Sequence, residues 1–226
     1  MNAIKYVLLL TMVTLVAGCA TTVSDRLTNF HEARPTSILV VPPVNTSTDV
    51  QATTSVLATL PYYLAEKGFY VYPVNTVKTL LELEGFYEPA EIHALPPQEL
   101  AELFQADTVL YITIHEWTAK YLVFSTVTEV ELGYKLLAAD GTVLWEERLD
   151  AQYSPNSSGG GDFASLLISA IEAAAERASP NYIPLTRMVH SSALQTPAGS
   201  TSQRGIPLGP YHPSYELYYE QVQQQQ

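Results

Sequence analysis

Hydrophobic and polar residues follow two periods along this chain, and the change of period predicts strands that alternate with helices. Residues 37–41 form a short, nearly continuous apolar run that two prolines close, which is typical of a central strand buried on both faces. A second apolar run at 69–74 predicts another strand, after a helix that ends at Gly68. We expect Pro61 to kink or divide that helix, because proline lacks the N–H that a helix uses.

The middle of the chain predicts an antiparallel meander. Residues 108–114 are apolar on both faces, whereas in 122–136 the apolar residues share one parity and the charged residues the other. Such strict alternation indicates a half-buried strand. An Asp-Gly pair at 140–141 separates it from the apolar run at 143–145, and both residues tolerate the positive φ of a tight hairpin turn.

Helical spacing predicts the remaining elements, at about 50–67, 76–84, 97–105, 163–178 and 181–192. Residues 85–96 read as a loop with two prolines, and the apolar stripe of 163–178 is expected to pack into the core. Apart from the second short helix at 181–192, the order is β-α-β-α-α-β-β-β-α. It predicts an α/β (α+β) fold, a single three-layer-like domain with a mixed sheet.

The first nineteen residues carry a processing signal. Lys5 precedes an apolar stretch too short to span a bilayer, and Val16-Ala17-Gly18 stands before Cys19, the single cysteine of the 226-residue chain. This is the pattern of a bacterial lipobox. We expect residues 1–18 to be removed, and Cys19 to carry a covalent diacylglycerol and an N-acyl chain, enough to anchor the protein stably.

The residue after Cys19 and the net charge indicate where in the cell the protein lies and which partners it excludes. Ala20 stands where inner-membrane lipoproteins commonly have aspartate, which predicts the outer membrane, with the domain facing the periplasm or the cell exterior. Loss of residues 1–18 removes Lys5 and shifts the formal charge from −12 to −13. Such an acidic protein should not bind nucleic acid.

These signals divide the chain into a signal peptide (1–18), a lipidated tether (19–36), whose residues 20–35 fit a tether or a short helix, a domain (37–195) and a tail (196–226). The tail is rich in Pro, Gly and Gln, and we expect it to be loosely attached. Its proline-aromatic stretch is either a strap on its own domain, which we favour, or a partner-binding arm. The candidate partner residues there are Leu208, Tyr211, His212 and Tyr215.

The loop after the first strand poses a similar question, because α/β folds place ligands at such loops. Asn45 and Ser47 are candidate partner-binding residues, although helix capping explains most of the loop's composition.

The sequence contains no recognisable catalytic or metal-binding motif. His115-Glu116 begins like a zinc-protease helix, but the second histidine is replaced by Ala119 and the segment reads as a strand. Glu129 and Glu131 lie on the solvated parity of their strand. The sequence therefore predicts no catalytic residue, no metal site and no cofactor besides the covalent lipid.

Several segments together carry a family resemblance. They are the lipobox, the stretch at 38–47, the Tyr-Val-Tyr-Pro-Val strand, the Asp-Gly-Thr-Val-Leu-Trp hairpin at 140–145 and Gly-Pro-Tyr-His-Pro-Ser-Tyr at 209–215. The chain resembles a family of bacterial lipoproteins that includes a meningococcal surface antigen studied as a vaccine candidate. The resemblance implies a fold similar to the amino-terminal domain of TolB. That fold is shared with the periplasmic part of the secretion lipoprotein CsgG and with lipoprotein activators of peptidoglycan synthases.

Sequence and resemblance lead to one main functional hypothesis. We expect a non-catalytic outer-membrane lipoprotein that acts as an accessory or assembly factor of an envelope complex for secretion or surface structures. Its partners would be outer-membrane lipid and envelope proteins, CsgG-like secretion lipoproteins first among them, and self-assembly is open. The alternatives are an activator of a peptidoglycan synthase and an envelope hydrolase with an unrecognised site.

Overall fold

The computed structural model describes residues 27–121, 126–154, 182–197 and 205–224. In chain order its elements are α1 (Thr28–Ala33), β1 (Ser37–Val40), β2 (Val44–Asn45), α2 (Ala52–Glu66), β3 (Tyr70–Val71), α3 (Val74–Leu83), α4 (Pro89–Ala94), α5 (Pro97–Phe104), β4 (Thr108–Tyr121), β5 (Thr126–Ala138), β6 (Val143–Tyr153), α6 (Tyr182–Ala193) and α7 (Tyr215–Gln224). Among these elements, no helix is long and apolar enough to cross a membrane.

One mixed sheet organises the molecule, with the strand order β3-β1-β4-β5-β6. β1 pairs in parallel with β3 and β4, and the short β2 also pairs with β4. β4, β5 and β6 form the antiparallel part. β1, β3 and β4 begin at one end of the sheet, which we call the anchor end. β1 and β3 finish toward the opposite end, which we call the cleft end.

Helices cover both faces of the sheet and bury two separate cores. Ile38 and Val40 of β1 point into the larger core, with the apolar faces of α2 and α6. Leu39 and Val41 point into the smaller core with α3, α4 and α5. β1 is therefore buried on both faces, as its apolar run predicts, and each such side chain contributes roughly 1.5–3 kcal/mol to the hydrophobic free energy. The predicted three-layer mixed α/β fold is confirmed.

The hairpin predictions are also confirmed. Val130, Leu132, Tyr134 and Leu136 are buried on one face of β5. At the turn, Gly141 has φ +87° and its N–H donates to Ala138 O. The Thr142 N–H donates to the Asp140 carboxylate, so this turn is built from local bonds.

One local expectation is wrong, and a second is wrong in part. The predicted loop at 85–96 contains α4, where Pro89 occupies the first helical turn, a position that needs no N–H. Pro61 does not divide α2, which runs from Ala52 to Glu66 as one helix. The apolar face of α2 is held against the sheet by Val56, Leu60 and Leu64, and this packing outweighs one lost backbone bond.

The packed unit is wider than the predicted domain at both ends. Residues predicted as tether form α1, where Phe30 is fully buried. The expectation of a loosely attached tail is wrong for 205–224, because Ile206 enters the main core and α7 buries three side chains. The predicted helix at 163–178 lies outside the described residues, whereas the one at 181–192 is α6.

Candidate functional site

Cys19, the predicted lipid attachment site, lies outside the described residues. The first described residues are already packed: Leu27 is 3% exposed and Phe30 is 0% exposed. Phe30 meets Phe69 edge to face at 6.1 Å between ring centroids. The packed body of the protein thus reaches to within eight residues of the predicted anchor.

Residues 205–224, which we call the strap, close over the anchor end. The Gly209 N–H donates to Lys67 O at 2.8 Å, and the Tyr211 N–H donates to Gly68 O at 3.0 Å. A Cβ on Gly209 would lie 2.4 Å from Gly68 O. The two backbones can approach this closely because neither residue carries a side chain at the crossing.

The strap's helix α7 locks onto α1 through aromatic contacts. His31 Nε2 and the Tyr218 hydroxyl are hydrogen-bonded at 3.0 Å, and the Arg34 guanidinium lies 4.4 Å from the centroid of Tyr219. Burial, with the neighbouring Tyr215 and Tyr218, raises the pKa of Tyr219. The amino-terminal helix and the carboxyl-terminal helix therefore form one unit.

The four predicted partner residues of the strap differ in their exposure and contacts. Leu208 is 5% exposed and packs with α7, so it supports the strap from inside. His212 Nδ1 accepts from the Ser214 N–H, and Tyr215 packs on Tyr219. Tyr211, at 69% exposed, is the one side chain of the four that is free to meet a partner.

The other predicted pair, Asn45 and Ser47, is used within its own loop. Asn45 Oδ1 accepts from the N–H and the hydroxyl of Ser47 at 2.9 and 2.7 Å. Asn45 Nδ2 donates to Asp49 O, and the Asp49 carboxylate accepts the Gln51 N–H at the start of α2. These polar groups bond within the loop, whereas Gln51, the N-cap residue of α2, makes no side-chain capping bond, so the expected helix capping is wrong for α2. Neither Asn45 nor Ser47 lines the clefts of about 510 and 730 Å³.

A cleft of about 510 Å³ opens nearby, where the chain leaves β1 and β3 at the cleft end. The helix after β1 packs on one face of the sheet and the helix after β3 on the opposite face. This is the topological switch point at which open α/β sheets bind ligands. We call it the switch-point cleft; Pro42, α2, α3 and α4 line it.

A second cleft, of about 730 Å³, lies on the other side of α4, over β4, β5 and β6. We call it the sheet cleft. Tyr111 forms its inner wall against His93, whose ring centroid is 5.1 Å away. His93 Nε2 is hydrogen-bonded to Pro42 O; burial lowers the pKa of His93, and this bond offsets part of that effect. His115 lies at a β-bulge, with its ring over Gly133.

A buried polar triad ties α2, β5 and α6 together. His190 is fully buried, with Nε2 at 3.0 Å from the Thr59 hydroxyl and Nδ1 at 2.7 Å from the Tyr134 hydroxyl. Burial lowers the pKa of His190 to about 3, so the ring stays neutral at physiological pH. A neutral ring without a solvent path supports a structural role.

The described ranges contain no group of three His, Cys, Asp or Glu residues able to hold a metal ion. His115 lies in a strand, as its sequence context predicts. Glu131 is paired with Arg148, and Glu129 with Lys120, on the solvated face.

Two site features were missed from the sequence. The switch-point cleft is one, and its available signal was the pair of strands at 37–41 and 69–74, each followed by a helix. The sheet cleft is the other. Its signal was Gly133, an isolated glycine inside a strand pattern, which marks a close approach.

Comparisons with known proteins give consistent matches. The model of a family described as "Putative lipoprotein GNA1162-like" matches residues 26–210. "Putative lipoprotein NMB1124/NMB1162" of Neisseria meningitidis serogroup B is 38% identical over 145 residues, 64% of this chain and 67% of the relative. The crystal structure of lipoprotein GNA1162 from Neisseria meningitidis, at 33% identity, gives a TM-score of 0.52 and covers 64% of this chain and 99% of that one. The PelC dodecamer of Paraburkholderia phytofirmans is 19% identical and covers 70% of this chain and 88% of that one. Its TM-score of 0.40 is too low to support an argument about this chain.

Proposed function

Because the chain belongs to the GNA1162-like lipoprotein family, we propose that acyl chains on Cys19 anchor it in the bacterial outer membrane, where it is an accessory or assembly factor of an envelope complex. The predicted family resemblance is confirmed by the matches over residues 26–210. The relatives are named lipoproteins, and their names carry no catalytic activity. The role in assembly, the outer membrane and the absence of catalysis are our proposals.

The observation that carries the proposal is the short path from Cys19 to the packed body. Leu27 and Phe30 are already in the core. Eight residue steps separate Cys19 from Leu27 and span at most about 28 Å when fully extended. A lipidated Cys19 therefore holds the anchor end of the domain close to the bilayer.

Tethering of this kind provides a mechanism without catalysis. A domain confined near the membrane meets other membrane-associated proteins at a raised effective concentration, so that weak contacts suffice. The fixed strap adds a preorganised surface, because α1 and α7 are already locked to each other. We place the partner-binding surface around exposed Tyr211, since aromatic side chains are enriched at protein interfaces.

The short path argues against activation of a peptidoglycan synthase. That activity requires a tether long enough to reach toward the cell wall, and α1 consumes residues that a long tether would need. An envelope hydrolase is also disfavoured, since the described residues offer no candidate metal cluster and the buried His190 is held in a structural triad.

Anchoring is tested by replacing Cys19 with serine. We expect Cys19→Ser to leave the domain folded and to move it from the outer-membrane fraction to the soluble periplasmic fraction. Retention of a folded Cys19→Ser variant in the membrane would contradict anchoring through this residue.

Partner binding is tested by photo-crosslinking in cells. A photoreactive phenylalanine analogue replaces Tyr211 in one variant and Tyr87 in the control; both side chains are 69% exposed, and Tyr87 lies at the cleft end. We expect an envelope protein to be captured from position 211 and not from position 87. Equal capture from both positions, or none from 211, would contradict the assigned surface, and capture of a second copy would indicate self-assembly.

A further inference from the structure

We propose that the sheet cleft binds a small organic monocarboxylate that carries a short apolar group. This inference does not depend on the proposed assembly role, because the cleft shares no lining residue with the strap and the ligand is of a different class. It rests on an unpaired buried hydroxyl, on nearby cations and on the shape of the cleft.

The first observation is the Tyr111 hydroxyl. Tyr111 is 8% exposed and lines the cleft, yet its hydroxyl has no hydrogen-bond partner among the described residues. A buried polar group without a partner is costly, so such groups are rare in native proteins. Burial raises the pKa of Tyr111 to about 12, which keeps the hydroxyl protonated at neutral pH and available as a donor. The hydroxyl can therefore donate to an acceptor on a ligand in the cleft.

The second observation is the charge around that hydroxyl. Lys135 lies directly opposite Tyr111 in the β4–β5 register, and its ammonium group has no ion pair in the part of the chain that the structure describes. Arg148 lies on β6, opposite Gly133 of β5. Its Nε donates to Glu131, and its other N–H groups remain available to a ligand. An acceptor that also faces Lys135 is best satisfied by a negative charge.

Acidic neighbours limit how much negative charge fits. Glu146, opposite Lys135, and Glu147 also line the cleft, so two acids stand beside the two bases Lys135 and Arg148, and Arg148 is paired with Glu131. Like charges repel, so a multiply charged anion such as phosphate is disfavoured relative to a single carboxylate. A single carboxylate that faces Lys135 and the Tyr111 hydroxyl is therefore the anion that this lining accommodates best.

The third observation is the shape of the cleft. Its volume of about 730 Å³ lies within the usual range for small-molecule sites. Gly133 leaves its floor without a side chain, and an added Cβ would lie 2.8 Å from His115 Nε2. Leu95, Pro97 and Leu137 supply an apolar wall for the rest of the ligand.

The test is calorimetric titration of the mature chain carrying Cys19→Ser with N-acetyl-L-leucine, a monocarboxylate with a short apolar group. The matched neutral probe is N-acetyl-L-leucinamide, in which an amide replaces the carboxylate. Hydrogen bonds to charged groups are stronger than neutral ones, so we expect the acid to bind about tenfold more tightly or better. Equal binding of the acid and the amide, or no binding of the acid, would overturn the proposal.

Variants locate the site. We expect Tyr111→Phe and Lys135→Gln each to weaken binding of the acid by about fivefold or more. The control, Lys120→Gln, removes a lysine from the same sheet face, where it pairs with Glu129 outside the cleft, and should leave binding unchanged. Loss of binding in Lys120→Gln equal to that in Lys135→Gln would indicate nonspecific charge and contradict the site.

A second readout separates a ligand-binding hydroxyl from a structural one. Without the probe, Tyr111→Phe removes an unpaired polar atom, so its Tm should equal or exceed that of the parent chain. A fall of more than about 4 °C would show that the hydroxyl has a structural partner and would overturn the assignment. If Tyr111→Phe cannot be produced folded, exposed Lys135→Gln decides the question, with unchanged affinity counting against the proposal.

Discussion

The two ends of the sheet are built in opposite ways. At the anchor end, sequence-distant segments interlock: the strap crosses at Gly68, and α7 closes on α1 through His31 and Tyr218. The switch-point cleft of about 510 Å³ lies at the cleft end, and the sheet cleft of about 730 Å³ lies on the other side of α4, where the Tyr111 hydroxyl is buried without a partner among the described residues. The Tyr219 hydroxyl at the anchor end is also buried without a hydrogen-bond partner among the described residues, so the two regions differ in open space rather than in unpaired polar groups.

This difference separates two tasks of the proposed tethered binding protein. Under the proposed anchoring, the end nearest the lipid would need rigidity, since a flexible body would lose the orientation that the anchor provides. Asp107 illustrates how that end is fixed: its carboxylate accepts from Thr36 and from Ser37. Burial opposes ionisation of Asp107, but these hydrogen bonds outweigh it and hold its pKa below the usual value. The cleft end is the place where a ligand could add stability.

The largest expected effect comes from removing an anchor-end core side chain. Phe30→Ala should lower the free energy of unfolding by about 3–5 kcal/mol, because a fully buried aromatic ring leaves a cavity. Urea titration measures this loss. The control at the cleft end, Leu83→Ala, changes a side chain that is 76% exposed and should cost less than about 0.5 kcal/mol. Similar losses in the two variants would remove the proposed contrast.

The strap crossing gives the next effect. Gly209→Ala places a Cβ against the Gly68 carbonyl and should cost about 1–3 kcal/mol. Limited proteolysis with mass spectrometry should find new cleavage within 205–224. The control Gly85→Ala meets open space, although its φ of +96° adds backbone strain, and should leave the strap protected. A protected strap in Gly209→Ala would show that the crossing is looser than described.

The buried triad between the two ends predicts a pH dependence. The pKa of His190 is about 3 in the folded protein and about 6.5 when unfolded, so below pH 6.5 only the unfolded state takes up the proton. Stability is complete above pH 6.5 and falls by about 1.4 kcal/mol per pH unit, or about 2 kcal/mol at pH 5. Urea titrations at each pH should show this slope reduced in His190→Gln. An unchanged slope would mean that His190 does not carry the effect.

The smallest effect is expected in the loop that contains Asn45 and Ser47. Asn45→Ala removes hydrogen bonds to Ser47 and Asp49 and should cost about 1 kcal/mol. Crosslinking from position 211 should be unaffected, because this loop lies at the other end of the sheet. Reduced capture in a folded Asn45→Ala variant would extend the partner surface to the cleft end.

Local patterns predicted much of the fold, and distant contacts account for what they missed. The parity of β5 and the Asp-Gly turn depend on neighbouring residues, so the sequence reveals them. The strap depends on Gly209 meeting Lys67 and Gly68, and no periodicity records such a meeting. The sheet cleft likewise exists because α4 turns His93 toward Tyr111, across a segment that reads as a loop. Of the predicted partner residues, only Tyr211 combines its place in the strap with large exposure.

Energy transfer measures which end of the sheet faces the bilayer. With Cys19 lipidated, a cysteine introduced by Tyr211→Cys or by Tyr87→Cys is the only free thiol, and each takes one fluorescent donor. In proteoliposomes with acceptor-labelled headgroups, we expect markedly stronger transfer from position 211 than from position 87. Equal transfer, or stronger transfer from 87, would contradict an anchor end held against the membrane.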